Sequence, residues 1–246
     1  MAVVTEQRHI PLQGAHNVRD VGGYATASGA LTRWRRLLRA DSLHRLTPDD
    51  QRVLREYGVR TIVDLRLPVE VAHNPNVFAA ADGIRYINLP LIPERSDSGI
   101  EARSASVNDL YRLMLDECQT PIRDVLGLMA EAEAPVLVHC FVGKDRTGII
   151  TALALGAAGV PAPTIADDYA LSGTLTVSLL AEIRAMLLRL GYDVTRFDRL
   201  SPAPRDAMLA TLAYLDERYG GIEAYLTTIG LTASQRSGLR RLLLNT

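Results

Sequence analysis

The stretch Val136-Leu137-Val138-His139-Cys140-Phe141-Val142-Gly143-Lys144-Asp145-Arg146-Thr147-Gly148 decides both fold and chemistry. Val136-Leu137-Val138, bounded by Pro135, reads as a short buried strand. After Gly148 the run Ile149-Ile150-Thr151-Ala152-Leu153-Ala154-Leu155 is apolar almost all round and reads as a buried helix. The turn between them therefore joins a strand end to a helix N-terminus, where unpaired N–H groups and a partial positive charge favour an anion. Cys140 opens that turn and Arg146 closes it, with five residues between. A loop of this length can wrap its amides around a phosphate, and Arg146 adds a planar two-pronged grip on the oxygens. The same field favours the thiolate form of Cys140, which is the nucleophile. Cys-x5-Arg alone fits a structural cysteine beside a solvated charge run better. His139, Gly143, Thr147-Gly148 and the strand–turn–helix context together favour the phosphate loop.

His139-Cys140-x-x-Gly143-Lys144-Asp145-Arg146-Thr147-Gly148 resembles the signature of cysteine-dependent protein tyrosine phosphatases. The Lys144-Asp145 pair, Asn17-Val18-Arg19-Asp20-Val21-Gly22-Gly23 and Val63-Asp64-Leu65-Arg66 resemble an atypical bacterial branch of that family. The resemblance implies hydrolysis of phosphate esters through a cysteinyl-phosphate intermediate. It implies action on phosphotyrosine, with phosphoserine, phosphothreonine and phosphoinositides as further substrates. It also implies a helical lid over the active site, for which residues 161–220 are the candidate segment within a single domain spanning 1–246.

Two cysteines, Cys118 and Cys140, are too few for a disulfide framework. A thiolate nucleophile suits a reducing, cytoplasmic compartment. The formal net charge of −1 gives no global attraction for nucleic acid or an acidic membrane, so any attraction for phosphate is local. The N-terminus lacks the pattern of a signal peptide, and no apolar run approaches the ~18 residues of a membrane span; export by another route leaves no such mark. No stable membrane insertion and no nucleic-acid partner are expected, and oligomeric state is not legible. Neither a metal nor a cofactor is implied.

Along the chain, residues 17–40 read as two strands with a turn at Ser28-Gly29. Thr47-Pro48 starts a helix that Gly58 ends. Val59–Val63 and Ile84–Leu89 are further strands, the second running into a proline- and charge-rich loop from Pro90 to Arg103. Helices follow over Val107–Glu117 and from Thr120-Pro121, and after the catalytic strand the pattern stays helical. Leu175–Leu190 carries Leu179, Ile183, Met186, Leu187 and Leu190 at helix spacing, which reads first as a core-packing face. Thr232-x-x-Gln235 is a capping box. The expected fold is α/β: a parallel-rich central sheet flanked by helices, phosphotyrosine-phosphatase-like, with a helical C-terminal half.

Roles follow from position. Cys140 is the nucleophile, Arg146 the phosphate clamp, and Thr147 a donor to the departing thiolate as well as a helix cap. His139 orders the loop rather than acting as base. Phe141, Val142 and Gly143 line the cradle, and Lys144 adds a charge that can meet a second phosphate. Asp64 and Arg66 leave a strand end on the same side as the loop, where ligands bind in open α/β sheets. Asn17, Arg19 and Asp20 can order the loop from beneath, and Asp41 and Ser42 can line the pocket. The Trp-Pro-Asp acid loop common to tyrosine phosphatases is absent, since the single Trp34 precedes Arg35. Asp145, Glu94, Asp97 and Asp64 are the candidate acids, with Asp145 suggested by the atypical branch. A phosphoinositide phosphatase, a non-catalytic phospho-ligand module and a sulfurtransferase are the competing readings. Cys140→Ser is expected to abolish turnover of p-nitrophenyl phosphate while phosphate esters still bind, because a serine hydroxyl here stays protonated; single-turnover assays with calorimetry check both halves.

Overall fold

A computed structural model describes residues 7–93 and 99–245. The sheet is built from β1 (Arg19–Asp20), β2 (Leu37–Ala40), β3 (Thr61–Asp64), β4 (Arg85–Asn88) and β5 (Val136–His139), in spatial order β1-β2-β5-β3-β4. β1 is antiparallel to β2, and the remaining pairs are parallel. Between the strands lie α1 (Pro48–Tyr57), α2 (Pro68–His73), α3 (Ile100–Arg103), α4 (Val107–Glu117) and α5 (Gln119–Glu131). After β5 the described chain is helical throughout: α6 (Asp145–Ala157), α7 (Ala162–Leu175), α8 (Val177–Arg189), α9 (Thr195–Leu200), α10 (Arg205–Tyr219), α11 (Ile222–Thr228) and α12 (Ala233–Leu243). The chain is thus α/β, with a mostly parallel sheet flanked by helices, as its sequence indicates. No single helix among the described residues is long and apolar enough to cross a membrane.

The two-residue period of β5 divides the core. Val136 and Val138 face the larger cluster, with α4, α5 and α6, while Leu137 faces the smaller one with Leu38, Ile62, Leu54 and Phe78. A strand with helical cover on both sides must be apolar on both faces, hence its continuous run. Register brings Ala40, His139 and Asp64 level at the carboxyl edge, because Ala40 and Asp64 both pair with His139. The next residues, Asp41, Cys140 and Leu65, therefore leave the sheet together.

Local signals hold at several ends. Thr47 and Thr232 both close capping boxes, and Gly58 ends α1 in the left-handed region at φ 98°. Two readings need correction. The strand pair expected over 17–40 shrinks to β1 and the end of β2. The Asp20 carboxylate accepts from Gly22 N at 2.6 Å and Arg35 N at 2.7 Å, so a side chain replaces ladder bonds there. The stripe on α8 is not a core face, since Leu179 is its one buried residue, whereas Met186 and Leu188 are exposed.

Gly143 shows how tightly the loop after β5 is laid against β2. Its φ is +72°, and an added Cβ would stand 2.3 Å from the Ala40 carbonyl oxygen. Gly143→Ala must displace the loop, and a displacement near 1 Å at a reacting site typically costs about 10²-fold. We expect a loss of that order in kcat/KM on p-nitrophenyl phosphate, with far-ultraviolet circular dichroism unchanged.

Candidate active site

The loop from Cys140 to Arg146 bridges β5 and α6. Gly143 N donates to Cys140 Sγ at 3.3 Å, so a loop amide already points at the nucleophile. Amides that face inward leave their carbonyls facing outward into protein, where each needs a donor. Asn17 Nδ2 donates to Val142 O and Gly143 O, both at 3.1 Å, and Arg39 Nη2 donates to Gly143 O at 2.9 Å. Arg39 is itself held by Asp168 Oδ2 at 2.7 Å, and Arg19 by Asp168 Oδ1 at 3.1 Å. Ser172 joins this group through Arg19 Nη2 at 3.0 Å. All five side chains are buried. The two guanidiniums hold the Asp168 carboxyl far below its ordinary value against the opposing effect of burial, while burial and Arg39 pull Arg19 down to about 10. Asn17 and Arg19 thus order the loop from beneath; Asp20 instead holds the β1–β2 connection and the Tyr57 hydroxyl.

His139 is fully buried. Asn76 Oδ1 accepts from Phe78 N at 2.9 Å, which turns its Nδ2 toward His139 Nε2 at 3.0 Å. Nε2 is therefore an acceptor, and Nδ1–H donates to Cys140 O at 3.1 Å. Burial pulls this imidazole below its ordinary value, with Asp64 opposing. A neutral ring that grips the Cys140 carbonyl orders the loop.

Arg146 is oriented by Glu70 on α2. Nη1 meets Oε2 at 2.6 Å and Nη2 meets Oε1 at 2.9 Å, a bidentate fork that sets the guanidinium plane. Burial opposes ionisation of Glu70, but Arg146 outweighs it and the carboxyl lies below its usual range. The Thr147 hydroxyl is buried and has no hydrogen-bond partner among the described residues. Asp145 opens α6, and its Oδ1 accepts from the Tyr111 hydroxyl at 2.7 Å and faces Lys144 Nζ at 3.2 Å. Because Tyr111 gives its only proton to Asp145, the 2.6 Å contact with Tyr169 has Tyr169 as donor. Asp145 Oδ2 has no partner among the described residues.

Three expectations change. Asp64 and Arg66 are wholly buried and pair with each other, Nε to Oδ1 at 2.9 Å and Nη2 to Oδ2 at 2.6 Å. Arg66 also reaches Ser42 Oγ at 2.9 Å and Asn74 O at 2.8 Å, and Tyr86 donates to Asp64 at 2.8 Å. Their donors and acceptors brace the strand ends behind the loop, so they do not line the cradle. Burial opposes ionisation of Asp64, but the paired Arg66 guanidinium holds its carboxyl below the usual range, which disqualifies it as the acid. Lys144 Nζ is bound by the carbonyls of Leu200 at 2.5 Å, Ser201 at 3.0 Å and Pro202 at 3.2 Å. Those bonds spend its donors at the C-terminal end of α9, so a second phosphate is not its contact here. Glu94 and Asp97 lie outside the described residues.

Two clefts flank the loop. One, of about 500 Å³, has Phe141, Asp41, Ser42 and His44 on its floor and Leu179, Ile183 and Met186 of α8 above. Phe141 lies nearly parallel to His44, at 6.3 Å and 23°. The other, of about 330 Å³, contains Val142, Lys144 and Asp145 and is walled by α8 and α9.

The family model described as tyrosine phosphatase family matches residues 10–245. The chain belongs to that family. The triple specificity protein phosphatase PtpB of Mycobacterium tuberculosis is 31% identical, over 95% of this chain and 98% of its own. A tyrosine-protein phosphatase of Nostoc commune is 30% identical, over 82% of this chain and 72% of its own. The crystal structure of P. aeruginosa TpbA aligns at 16% identity over 84% of this chain and 96% of its own, with a TM-score of 0.43. The protein is a cysteine-dependent phosphatase acting on phosphate monoesters, which removes the sulfurtransferase and the non-catalytic module.

Sequence reading missed Tyr111, Tyr169, Arg39, Asp168, Ser172 and Glu70. Arg39, Tyr111 and Glu70 reach the loop from distant segments, and Asp168, Ser172 and Tyr169 hold the residues that do so. Only Glu70, three residues after Leu67 and just past Pro68, sits in a recognisable helix-start pattern. The other thiol, Cys118, is buried at the α4–α5 junction, and burial pushes it up to about 12, so it is inert at neutral pH.

The phosphatase's buried ion cluster makes a stability prediction. Removing the Asp168 charge strands two buried guanidiniums, a loss that typically costs about 3–5 kcal/mol. Asp168→Asn is expected to lower the urea-unfolding free energy by roughly that much. In the native protein the folded value lies below the ordinary 3.8, so the Asp168 contribution is present above that pH and fades only as pH falls toward the lower folded value. Acid titration of the wild type should show this loss, and the Asp168→Asn profile should lack it.

Proposed function

We propose that this phosphatase hydrolyses phosphotyrosine and, with the same acid, phosphoserine and phosphothreonine esters. The observation that carries the reading is a partly exposed Asp145 carboxyl set within the phosphate loop itself, with Oδ1 held by Tyr111 and facing Lys144. Cys140 thiolate attacks phosphorus as the bond to the leaving oxygen breaks. The proton of Asp145 passes to that oxygen. Water then attacks the cysteinyl phosphate, giving a proton to the Asp145 carboxylate as the S–P bond breaks and Cys140 returns as thiolate. Loop amides and Arg146 hold the equatorial oxygens in both steps, and the unpartnered Thr147 hydroxyl is suited to stabilise the departing thiolate. The name of the mycobacterial relative, a triple specificity phosphatase, supports a broad leaving-group range. Phosphoinositide action rested on the family resemblance and on Lys144; of the two, the Lys144 argument loses its ground because its donors are taken by carbonyls at the C-terminal end of α9.

Within the expected lid segment 161–220, α7 and α10 are built into the main core, so α8 and α9 alone are proposed to serve as the lid. α8 contributes walls to both clefts, while only Leu179 on it is buried. A loosely packed helix that walls the clefts flanking the loop suits a cover that opens for substrate and excludes water when shut. The proposed compartment is the cytoplasm, where a thiolate nucleophile stays reduced.

Leaving groups of different acidity test the acid. p-Nitrophenolate departs with little help, whereas a serine alkoxide needs the proton almost fully transferred. Asp145→Asn is expected to lose little on p-nitrophenyl phosphate and about 10²–10⁴-fold on a phosphoserine peptide. Tyr111→Phe removes only the hydroxyl that orients Asp145, so it should show the same selectivity at roughly tenfold. Equal losses of Asp145→Asn on both substrates would move the acid elsewhere.

A further inference from the structure

The cleft on the Asp145 side contains a cation that the hydrolysis just described does not use. Arg196, in the first turn of α9, lines the same cleft as Val142, Lys144 and Asp145. Its Nη2 is buried with no hydrogen-bond partner among the described residues. Nearby carboxylates do not serve it. Asp193 Oδ1 accepts from Thr195 N at 2.9 Å and Thr195 Oγ1 at 2.7 Å. Asp198 forms a fork with Arg184 at 2.7 and 2.8 Å. Asp145 Oδ1 is held by Tyr111 at 2.7 Å. A buried guanidinium N–H without an acceptor is unfavourable and rare in folded proteins. Nη2 itself is covered, so it is the Arg196 side chain as a whole, lining the cleft without a hydrogen bond or ion pair to a described residue, that awaits an acceptor from a ligand.

Cleft walls indicate what carries that acceptor. Lys144, Asp145, Asp193 and Ser201 are the polar residues beside Arg196, and Leu110, Leu180, Leu187, Tyr192 and Phe197 form most of the apolar lining. An inositol ring carries hydroxyls that such walls leave unpaired, whereas the aromatic ring and adjoining chain of a phosphotyrosine peptide are well matched. We infer that Arg196 is the specificity residue of an anionic subsite that accepts an acidic side chain next to the phosphotyrosine of a peptide substrate. This subsite takes over, for a carboxylate, the second-anion role that the sequence suggested for Lys144. It rests on the tyrosine phosphatase reading, and it adds the sequence context that the enzyme prefers.

The experiment measures kcat/KM on two phosphotyrosine peptides that differ only in glutamate against glutamine beside the phosphotyrosine. Their ratio is compared across variants, so any effect on the common chemistry cancels. The wild type should favour glutamate by roughly tenfold, as a charge-assisted contact provides. Arg196→Gln should bring the ratio close to one, and Arg196→Lys should restore part of it, since charge remains but the fork is lost. Arg196→Glu should turn the preference toward a lysine-flanked peptide. A wild-type ratio of one, or a ratio unchanged in Arg196→Gln and Arg196→Glu, overturns the subsite. A bisphosphorylated inositide is run in parallel. If Arg196→Gln weakens its turnover and leaves the peptide ratio intact, the occupant is a lipid headgroup and the peptide assignment fails. Failure of the wild type to turn over either peptide would strike the tyrosine phosphatase reading itself, whereas turnover without preference strikes Arg196 alone.

Discussion

A loop can present its amides to an anion only if its carbonyls are satisfied on the other side. Here that requirement falls on Val142 and Gly143, whose oxygens face the protein interior and are met by Asn17 and Arg39. Arg39 is a charge on the central part of the sheet and needs its own counter-charge. Asp168, from a helix that follows the loop, supplies it and binds Arg19 as well. Three distant parts of the chain are thereby committed to one geometry: the N-terminal segment, β2 and α7. A network of this kind is costly when incomplete and rigid when complete, which suits a site whose catalytic power comes from dipoles fixed before the substrate arrives.

The sheet makes the network possible. With Ala40, His139 and Asp64 in register, the residues that follow emerge side by side. Arg39, one residue before the edge, therefore lies directly beneath the loop. Gly143 passes so near the Ala40 carbonyl that no side chain fits. On the other flank the Asp64–Arg66 pair reaches Ser42 and Asn74, and His139 grips the Cys140 carbonyl. Charges that a sequence reading assigns to substrate thus prove to be structural wherever they are fully buried and mutually paired. Arg146 differs because it is fixed along one side by Glu70 and remains part of the cradle.

What the sequence discloses is what is local. Val136-Leu137-Val138 before Cys140, and the apolar run after Gly148, identify strand, turn and helix because their periods need no distant partner. Thr47-Pro48 and Thr232-x-x-Gln235 mark helix starts for the same reason. Asp168 could not be found this way: it stands beside Asp167 in an ordinary helical pattern, and only packing buries one and exposes the other. Tyr111 looks like any aromatic on the apolar face of α4 until its hydroxyl meets Asp145. The stripe of α8 fails in the opposite direction. Apolar spacing states that a face seeks cover, but not whether a core or a substrate cleft supplies it.

Lys144 joins these observations. It sits between the nucleophile's loop and the end of α9, with its ammonium on the Leu200, Ser201 and Pro202 carbonyls and 3.2 Å from Asp145. Carbonyls at a helix end carry partial negative charge, so a lysine there is favoured in its place. Withdrawal of α9 from the loop removes those acceptors and leaves the ammonium facing the Asp145 carboxyl alone. In the proposed lid motion the surroundings of the Asp145 carboxyl would therefore change through one side chain, its sequence neighbour Lys144. α9 also bears Arg196, so the same closure that satisfies Lys144 brings the unpaired guanidinium to the cleft beside Asp145. Lys144 thus ties the end of α9 to the loop at Asp145, and Arg196 on the same short helix lines the adjoining cleft.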